Sequence, residues 1–149
     1  MFSFFKRNQQ LDQGPRIVDL KKPIKIVGLS MQTDSKNVYT QIPELGEKFL
    51  ELKNEKGIPH PIKPWGFAAV TREFDKKART WTYIIGDMVS GFDGVSNEFE
   101  TFEIPAIKYA VFTIRPKNQY LWAYTISQTK KFVYKKWIPQ NGYEPAEII

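Results

Sequence analysis

The sequence predicts an α+β domain built from two copies of a strand–helix–strand–strand unit, related by a pseudo-two-fold axis, with an antiparallel sheet and two main helices. The segments at 23–29 and 106–112 carry similar patterns of lysine and apolar residues, and each precedes a segment with helical periodicity. An Ile-Pro pair follows each helix, Ile58-Pro59 in the first copy and Ile138-Pro139 in the second. The interval from the first isoleucine of the strand to the isoleucine of the Ile-Pro pair is 34 residues in the first copy and 31 in the second. These intervals are close enough to indicate an internal duplication.

The first copy is expected over residues 22–89, behind a mobile leader at 1–20 that shows little periodicity. Pro43 suits the first turn of the helix, and Gly57 is typical of its end. β-branched and aromatic residues predict a hairpin after the proline-rich loop. In order, the copy comprises a strand at 24–31, a helix at 42–55 and hairpin strands at 65–74 and 80–89.

The second copy is expected over residues 103–149 and looks incomplete at its C-terminal end. A short extended stretch at 99–103 leads into it, and a strand block at 107–114 and a long helix at about 118–138, which ends at Pro139, follow. The positions expected on the buried face of this helix are Trp122, Ile126, Val133 and Trp137. By analogy with the first copy, its hairpin needs about twenty further residues. Either the last strands are absent, or the second half is completed differently, for example by a partner chain in a homodimer.

Composition and charge exclude several classes of protein. The 149 residues include no cysteine and one histidine, His60, so thiolate chemistry and multi-histidine metal sites are excluded. The net charge of +6 comes from residues 104–143, which hold seven basic and no acidic side chains. Lysine exceeds arginine 17 to 5, which favours a solvated helix face over direct nucleic-acid binding. No apolar run is long enough to span a membrane, and we expect a cytoplasmic protein with no cofactor.

Several motifs resemble the GyrI-like small-molecule-binding domains, also called bacterial transcription-activator effector-binding domains. The run Trp-Ile-Pro-Gln-Asn-Gly-Tyr-Glu at 137–144 resembles the family signature Trp-Leu-Pro-x-Ser-Gly-Tyr-Glu. The segments at 26–30, 42–45, 102–106 and 109–112 also resemble family motifs, in the family's order. The resemblance covers roughly residues 22–146 and implies a single effector-binding domain at 21–149.

The resemblance implies a ligand pocket between two duplicated halves, which takes hydrophobic and often cationic aromatic compounds. Relatives are fused to DNA-binding domains in regulators of the AraC and multidrug types, whereas this chain looks like a stand-alone member. Family members usually carry a pocket glutamate in a further strand of the Phe-Glu-x-Tyr type. The chain ends at Ile149 before such a strand is completed, so the position of this acid stays open.

We expect the binding site to combine aromatic faces, which stabilise flat cations, with a carboxylate of complementary charge. The aromatic candidates are Trp65, Phe67, Tyr83, Tyr109, Trp122 and Tyr143. The acidic candidates are Glu103, Glu144 and Glu147. No catalytic or metal-ligating residue is predicted, and His60, between two prolines, is expected to be an exposed loop residue.

These features favour a protein that binds cationic aromatic small molecules, for sensing or for sequestration. Two alternatives stay open. One is a hydrolase of reactive small molecules that uses a pocket glutamate as its base. The other is an interaction module whose lysine-rich second helix contacts an acidic protein or DNA.

Overall fold

The computed structural model describes residues 14–62 and 66–143, in which antiparallel sheets and helices form the expected α+β fold. The chain divides into two compact units. The central unit holds residues 21–106, and the terminal unit is formed, in the described chain, by residues 14–20 and 107–143. The strands are β1 (Arg16–Asp19), β2 (Ile24–Asp34), β3 (Phe67–Asp75), β4 (Thr80–Val89), β5 (Glu100–Ile104) and β6 (Lys108–Val111). The helices are α1 (Val38–Lys56), α2 (Trp122–Phe132) and α3 (Ile138–Gln140).

The central unit is a four-stranded antiparallel sheet in the order β3-β4-β2-β5. The first face of this sheet is the one that α1 covers. Side chains alternate between faces along each strand, so Val27 and Ile85 point to the first face. There they pack with the helix residues Leu45 and Phe49, and the Phe49 ring meets the edge of Phe99 at a centroid distance of 6.3 Å.

The second face of the sheet, opposite α1, is also apolar. Ile26, Ile84 and Phe102 are buried there and form a second cluster. The partly buried residues that pack against this cluster are Ile24, Ala68, Val70, Met88 and Ile104. The sheet therefore has two apolar faces rather than one.

Helix α1 begins at Val38, about one turn before the start at residue 42 that periodicity predicted. The cause is Asp34, whose carboxylate accepts backbone hydrogen bonds from Lys36 at 2.7 Å and Asn37 at 2.9 Å. These bonds lower the pKa of Asp34 and close the turn that leads into the helix. Pro43 consequently lies inside the helix, where it lacks one backbone donor.

The terminal unit contains a two-stranded ribbon, in which β1 pairs with β6. Arg16 lies opposite Val111 and Asp19 opposite Lys108, and the Leu20 amide continues the pairing by donating to Ile107. Residues 16–19 therefore form a strand, although the sequence placed them in the leader. Their partner is about ninety positions away along the chain, and a pairing over that distance leaves no local pattern.

The second helical segment differs from the predicted helix at both ends and on its buried face. Asn118 accepts from the Tyr120 amide and caps a 3-10 turn at Gln119–Leu121, which leads into α2. A wider turn at Val133–Trp137 connects α2 to α3, so helical backbone continues past Pro139. Trp122 and Ile126 are 48% and 36% exposed, contrary to the predicted buried stripe, whereas Val133 and Trp137 are half-buried.

Thr129 is the buried residue of α2. Its hydroxyl donates to the Thr125 carbonyl at 2.8 Å, and this bond satisfies the polar group inside the protein. Helical periodicity did not single out this threonine, because it counts apolar residues. In the described part of the chain, no helix has the length and apolar character needed to cross a bilayer.

β5 belongs to the sheet of the central unit. It pairs with β2, with Phe102 opposite Ile26. The duplication, with its second copy expected from residue 103, stays a prediction.

Candidate ligand-binding site

A pair of glycines lets the central sheet curl toward its second face. Gly28 on β2 lies directly opposite Gly86 on β4. A Cβ atom at Gly28 would lie 2.0 Å from the Ile85 carbonyl oxygen, and one at Gly86 would lie 2.5 Å from that of Val27. The two strands therefore approach more closely here than any residue with a side chain allows.

The curl brings the two edges of the sheet together. Arg72 lies on β3 and Phe102 on β5, the opposite edge strands, and the Arg72 Cζ atom is 5.4 Å from the centroid of the Phe102 ring. In a flat sheet, strands separated by two others lie about 14 Å apart. The second face is therefore concave, with Arg72 and Phe102 meeting across it.

Glu100 supplies a fixed carboxylate on this concave face. It lies two residues before Phe102 on β5, so both side chains point to the same side of the sheet. One carboxylate oxygen accepts from the Ser30 amide at 3.0 Å, and the other accepts from the Ser30 hydroxyl at 2.7 Å. Within the described chain, no lysine or arginine forms an ion pair with Glu100, and its side chain is exposed to solvent. The arrangement suits it to receive a cation.

Arg72 supplies the opposite charge on the same face. Its Nε lies 3.4 Å from a carboxylate oxygen of Glu73, but this buried nitrogen donates no hydrogen bond. Glu73 lies in an irregular stretch of β3 between Arg72 and Asp75, and its φ of 56° is left-handed. Its second carboxylate oxygen accepts from the Thr82 hydroxyl at 2.6 Å.

The terminal unit carries an aromatic cluster of its own. The Trp137 ring stacks on Tyr143 at a centroid distance of 5.2 Å, with 11° between the planes. Phe112 meets Trp137 edge-on at 5.3 Å. Tyr143 is 55% exposed, so the stack presents a flat aromatic surface to solvent.

Three of the predicted site residues lie on the first face of the central sheet. Phe67 is on β3, half-buried Tyr83 is on β4, and Glu103 is exposed on β5 opposite Lys25. Burial raises the pKa of Tyr83. β4 and β2 separate Phe67 from Glu103, so the structure does not bring these two side chains together.

The other predicted residues lie in the terminal unit or outside the described residues. Tyr109 is on β6 opposite Val18, and burial raises its pKa. Trp122 begins α2, and Tyr143 belongs to the aromatic stack. Those outside the described residues are Trp65, Glu144 and Glu147. A pocket between two halves stays a prediction.

His60 lies exposed in its loop, as expected, and its carbonyl accepts from the Ser90 amide at 2.9 Å. Among the described residues, no cluster of three or more histidine, aspartate or glutamate side chains is arranged to hold a metal ion.

Sequence reasoning missed Glu100, Ser30 and Arg72. Glu100 could have been found, because its two-residue spacing from Phe102 puts it on the same face as an apolar side chain. Arg72 gave no such signal, since its contact with Phe102 depends on the curl of the whole sheet.

Comparison with known proteins identifies the family of this chain. The family model "Cass2: Integron-associated effector binding protein" matches residues 16–148. No curated protein matches the sequence. The family is one of GyrI-like effector-binding domains, which confirms the resemblance seen in the motifs and indicates a small-molecule ligand. The matched region covers most of the chain, and the protein therefore belongs to the family of integron-associated effector-binding proteins.

Proposed function

We propose that the protein binds hydrophobic aromatic cations on the concave face of the central sheet and so senses or sequesters them. The observation that carries this proposal is the carboxylate of Glu100. It is oriented by two hydrogen bonds from Ser30 and has no cationic partner among the described residues. A carboxylate oriented in this way can pair with a ligand cation.

The surroundings of Glu100 support an aromatic ligand. Phe102 lies beside it on the same face, and the apolar cluster of Ile26 and Ile84 continues beneath. Apolar side chains next to an exposed carboxylate favour a ligand that carries both a ring system and a positive charge. Family membership supports a small-molecule ligand in general.

The residues named from the sequence stay predictions of other ligand contacts, because the described ones lie on the first face of the central sheet or in the terminal unit. Glu103 is the alternative acid on the same strand, and it points to the other face of the sheet. The remaining candidates are Trp65, Phe67, Tyr83, Tyr109, Trp122, Tyr143, Glu144 and Glu147. We also propose action in the cytoplasm without a nucleic-acid site of its own.

The test is a titration with fluorescent cationic dyes, such as rhodamine 6G and ethidium, followed by fluorescence anisotropy. Wild-type protein is expected to bind at least one of them. Glu100→Gln should weaken binding about tenfold, because it removes the charge and keeps the shape. Glu51→Gln, on the exposed surface of α1, is the matched control and should bind like wild type.

Three results would count against the proposal in different ways. If no dye binds, the proposed function is wrong. If Glu103→Gln weakens binding and Glu100→Gln does not, the ligand lies on the first face instead. If a bound dye dissociates equally from every variant, none of these acids pairs with it.

A further inference from the structure

We propose that Arg72 recognises a carboxylate on the ligand, so that the preferred ligands are aromatic cations that also carry an anionic oxygen group. This inference rests on the proposed function, and it narrows the class of ligand from cations in general to amphoteric molecules. It assigns Arg72 to the same concave face as Glu100.

The position of the guanidinium is the first support. Its central carbon is 5.4 Å from the Phe102 ring centroid, so the group lies over an aromatic face rather than extending into solvent. The Arg72 side chain is 28% exposed, which leaves one side of the group open to a ligand. A guanidinium restrained in this way loses little further freedom when it binds an anion.

The unsatisfied donors of Arg72 are the second support. Nε is buried and forms no hydrogen bond, although buried donors are normally paired. The two terminal nitrogens donate no hydrogen bond to a described residue and, unlike Nε, they are not buried. Two such donors on one planar group match the two oxygens of a carboxylate.

Glu73 does not supply the missing partner. Its near oxygen is 3.4 Å from Nε without hydrogen-bond geometry, and its other oxygen is taken by the Thr82 hydroxyl. Its left-handed backbone is costly for a residue with a side chain. Glu73 therefore offsets part of the charge of Arg72 without accepting a hydrogen bond from its Nε.

The two charges on the concave face complement an amphoteric ligand. Glu100 and Phe102 are neighbours on one face of β5, and Arg72 lies against Phe102. A molecule whose ring system sits at Phe102 can place a cation toward Glu100 and a carboxylate toward Arg72. A simple cation satisfies only one of these groups.

Rhodamine 110 and rhodamine 123 form a matched pair of probes for this experiment. They share the cationic xanthylium ring and differ in that the carboxylate of rhodamine 110 is a methyl ester in rhodamine 123. Wild-type protein is expected to bind rhodamine 110 about five to ten times more tightly. Arg72→Gln should reduce this ratio to about one, and Arg72→Lys should give an intermediate ratio, because lysine keeps the charge and loses the fork.

The control variant is Arg79→Gln, in the exposed turn of the β3–β4 hairpin, and it should keep the wild-type ratio. Glu100→Gln should weaken both dyes by the same factor. Thermal unfolding of each variant shows whether it is folded, and Arg72→Lys provides the measurement if Arg72→Gln is not.

The outcomes separate this inference from the proposed function. If neither dye binds to wild-type protein, both are wrong. If both dyes bind and the ratio is about one in wild type, or is unchanged in the Arg72 variants, only the role of Arg72 is wrong. An amphoteric preference that disappears with Arg72→Gln and survives Arg79→Gln supports the proposal.

Discussion

Gly28 and Gly46 show how differently one residue type can act within this molecule. Gly28 faces backbone atoms of β4 at distances that exclude a Cβ atom. Gly46 lies in α1, where an added Cβ would make ordinary contact with the Ile85 side chain at 3.9 Å. The first glycine shapes the sheet, whereas the second only weakens its helix.

The first prediction on stability compares alanine at these two positions. Gly28→Ala should lower the free energy of unfolding by about 1–3 kcal/mol, because a backbone oxygen must move to admit the methyl group. Gly46→Ala should raise it by about 0.5–1 kcal/mol through better helix propensity. Urea denaturation measures both, and a Gly28→Ala protein as stable as wild type would contradict the close approach of β2 and β4.

At the scale of elements, α1 is fixed to the sheet by charge as well as by apolar packing. Lys53 Nζ lies 2.5 Å from the carboxylate of Asp87, which is 8% exposed on β4. Lys56 at the end of the helix pairs with Glu98 at 3.0 Å. The pair of Lys53 and Asp87 contributes more to stability, because Asp87 is buried and exposed ion pairs contribute little.

The second prediction on stability concerns this pair. Lys53→Ala should lower the free energy of unfolding by about 1–3 kcal/mol, because it leaves Asp87 with no cation. Lys48→Ala, at an exposed position of the same helix, should change it by less than about 0.5 kcal/mol. Urea denaturation checks both, and equal effects would show that Asp87 gains nothing from Lys53.

The exposed lysines of α2 are a second feature at the scale of elements. Within the described chain, Lys130 and Lys131 form no ion pair, and both are exposed. This is the pattern of a solvated helix face. If α2 acted as an interaction module, the protein would bind an acidic partner with an affinity that falls as the salt concentration rises. Adding a polyanion to the dye titrations tests for such binding.

At the scale of the whole molecule, several titratable groups make the stability of the fold fall at alkaline pH. Burial raises the pKa of Tyr83 and Tyr109 above the usual 10.0. Hydrogen bonds to Glu55 and then Glu98 raise the pKa of Lys56 above its usual 10.5. Each group therefore keeps its proton in the folded state at a pH where the unfolded chain loses it.

The pH prediction follows from the sign of these shifts. The stabilisation is complete below about pH 10 and is lost as the pH rises through the raised values, because the unfolded state then binds fewer protons. The melting temperature should be flat from about pH 8 to 9.5 and fall above about pH 10. Tyr83→Phe should make the fall shallower, and Tyr39→Phe, at an exposed position, should not; calorimetry across this range distinguishes them.

The elements of this protein follow largely from its sequence. The strand at 80–89 has the bounds that its β-branched and aromatic residues predicted, and Asp75 closes the preceding turn by accepting from Lys77 and Ala78. The family also follows, since its motifs keep their order along the chain. These features depend on patterns among residues that are neighbours in the sequence, so they can be predicted without the fold.

The partners of those elements were decided by the tertiary structure. β1 pairs with β6, and β5 pairs with β2. Neither pairing can be predicted from the sequences of the strands themselves. The contact of Arg72 with Phe102 depends on the curl at Gly28 and Gly86. Sequence alone determined most of the strands and helices, because propensity and periodicity are local, but it missed β1, whose pairing partner is distant along the chain. Only the fold decided which carboxylate shares a face with which arginine, because register and curvature join residues that are distant along the chain.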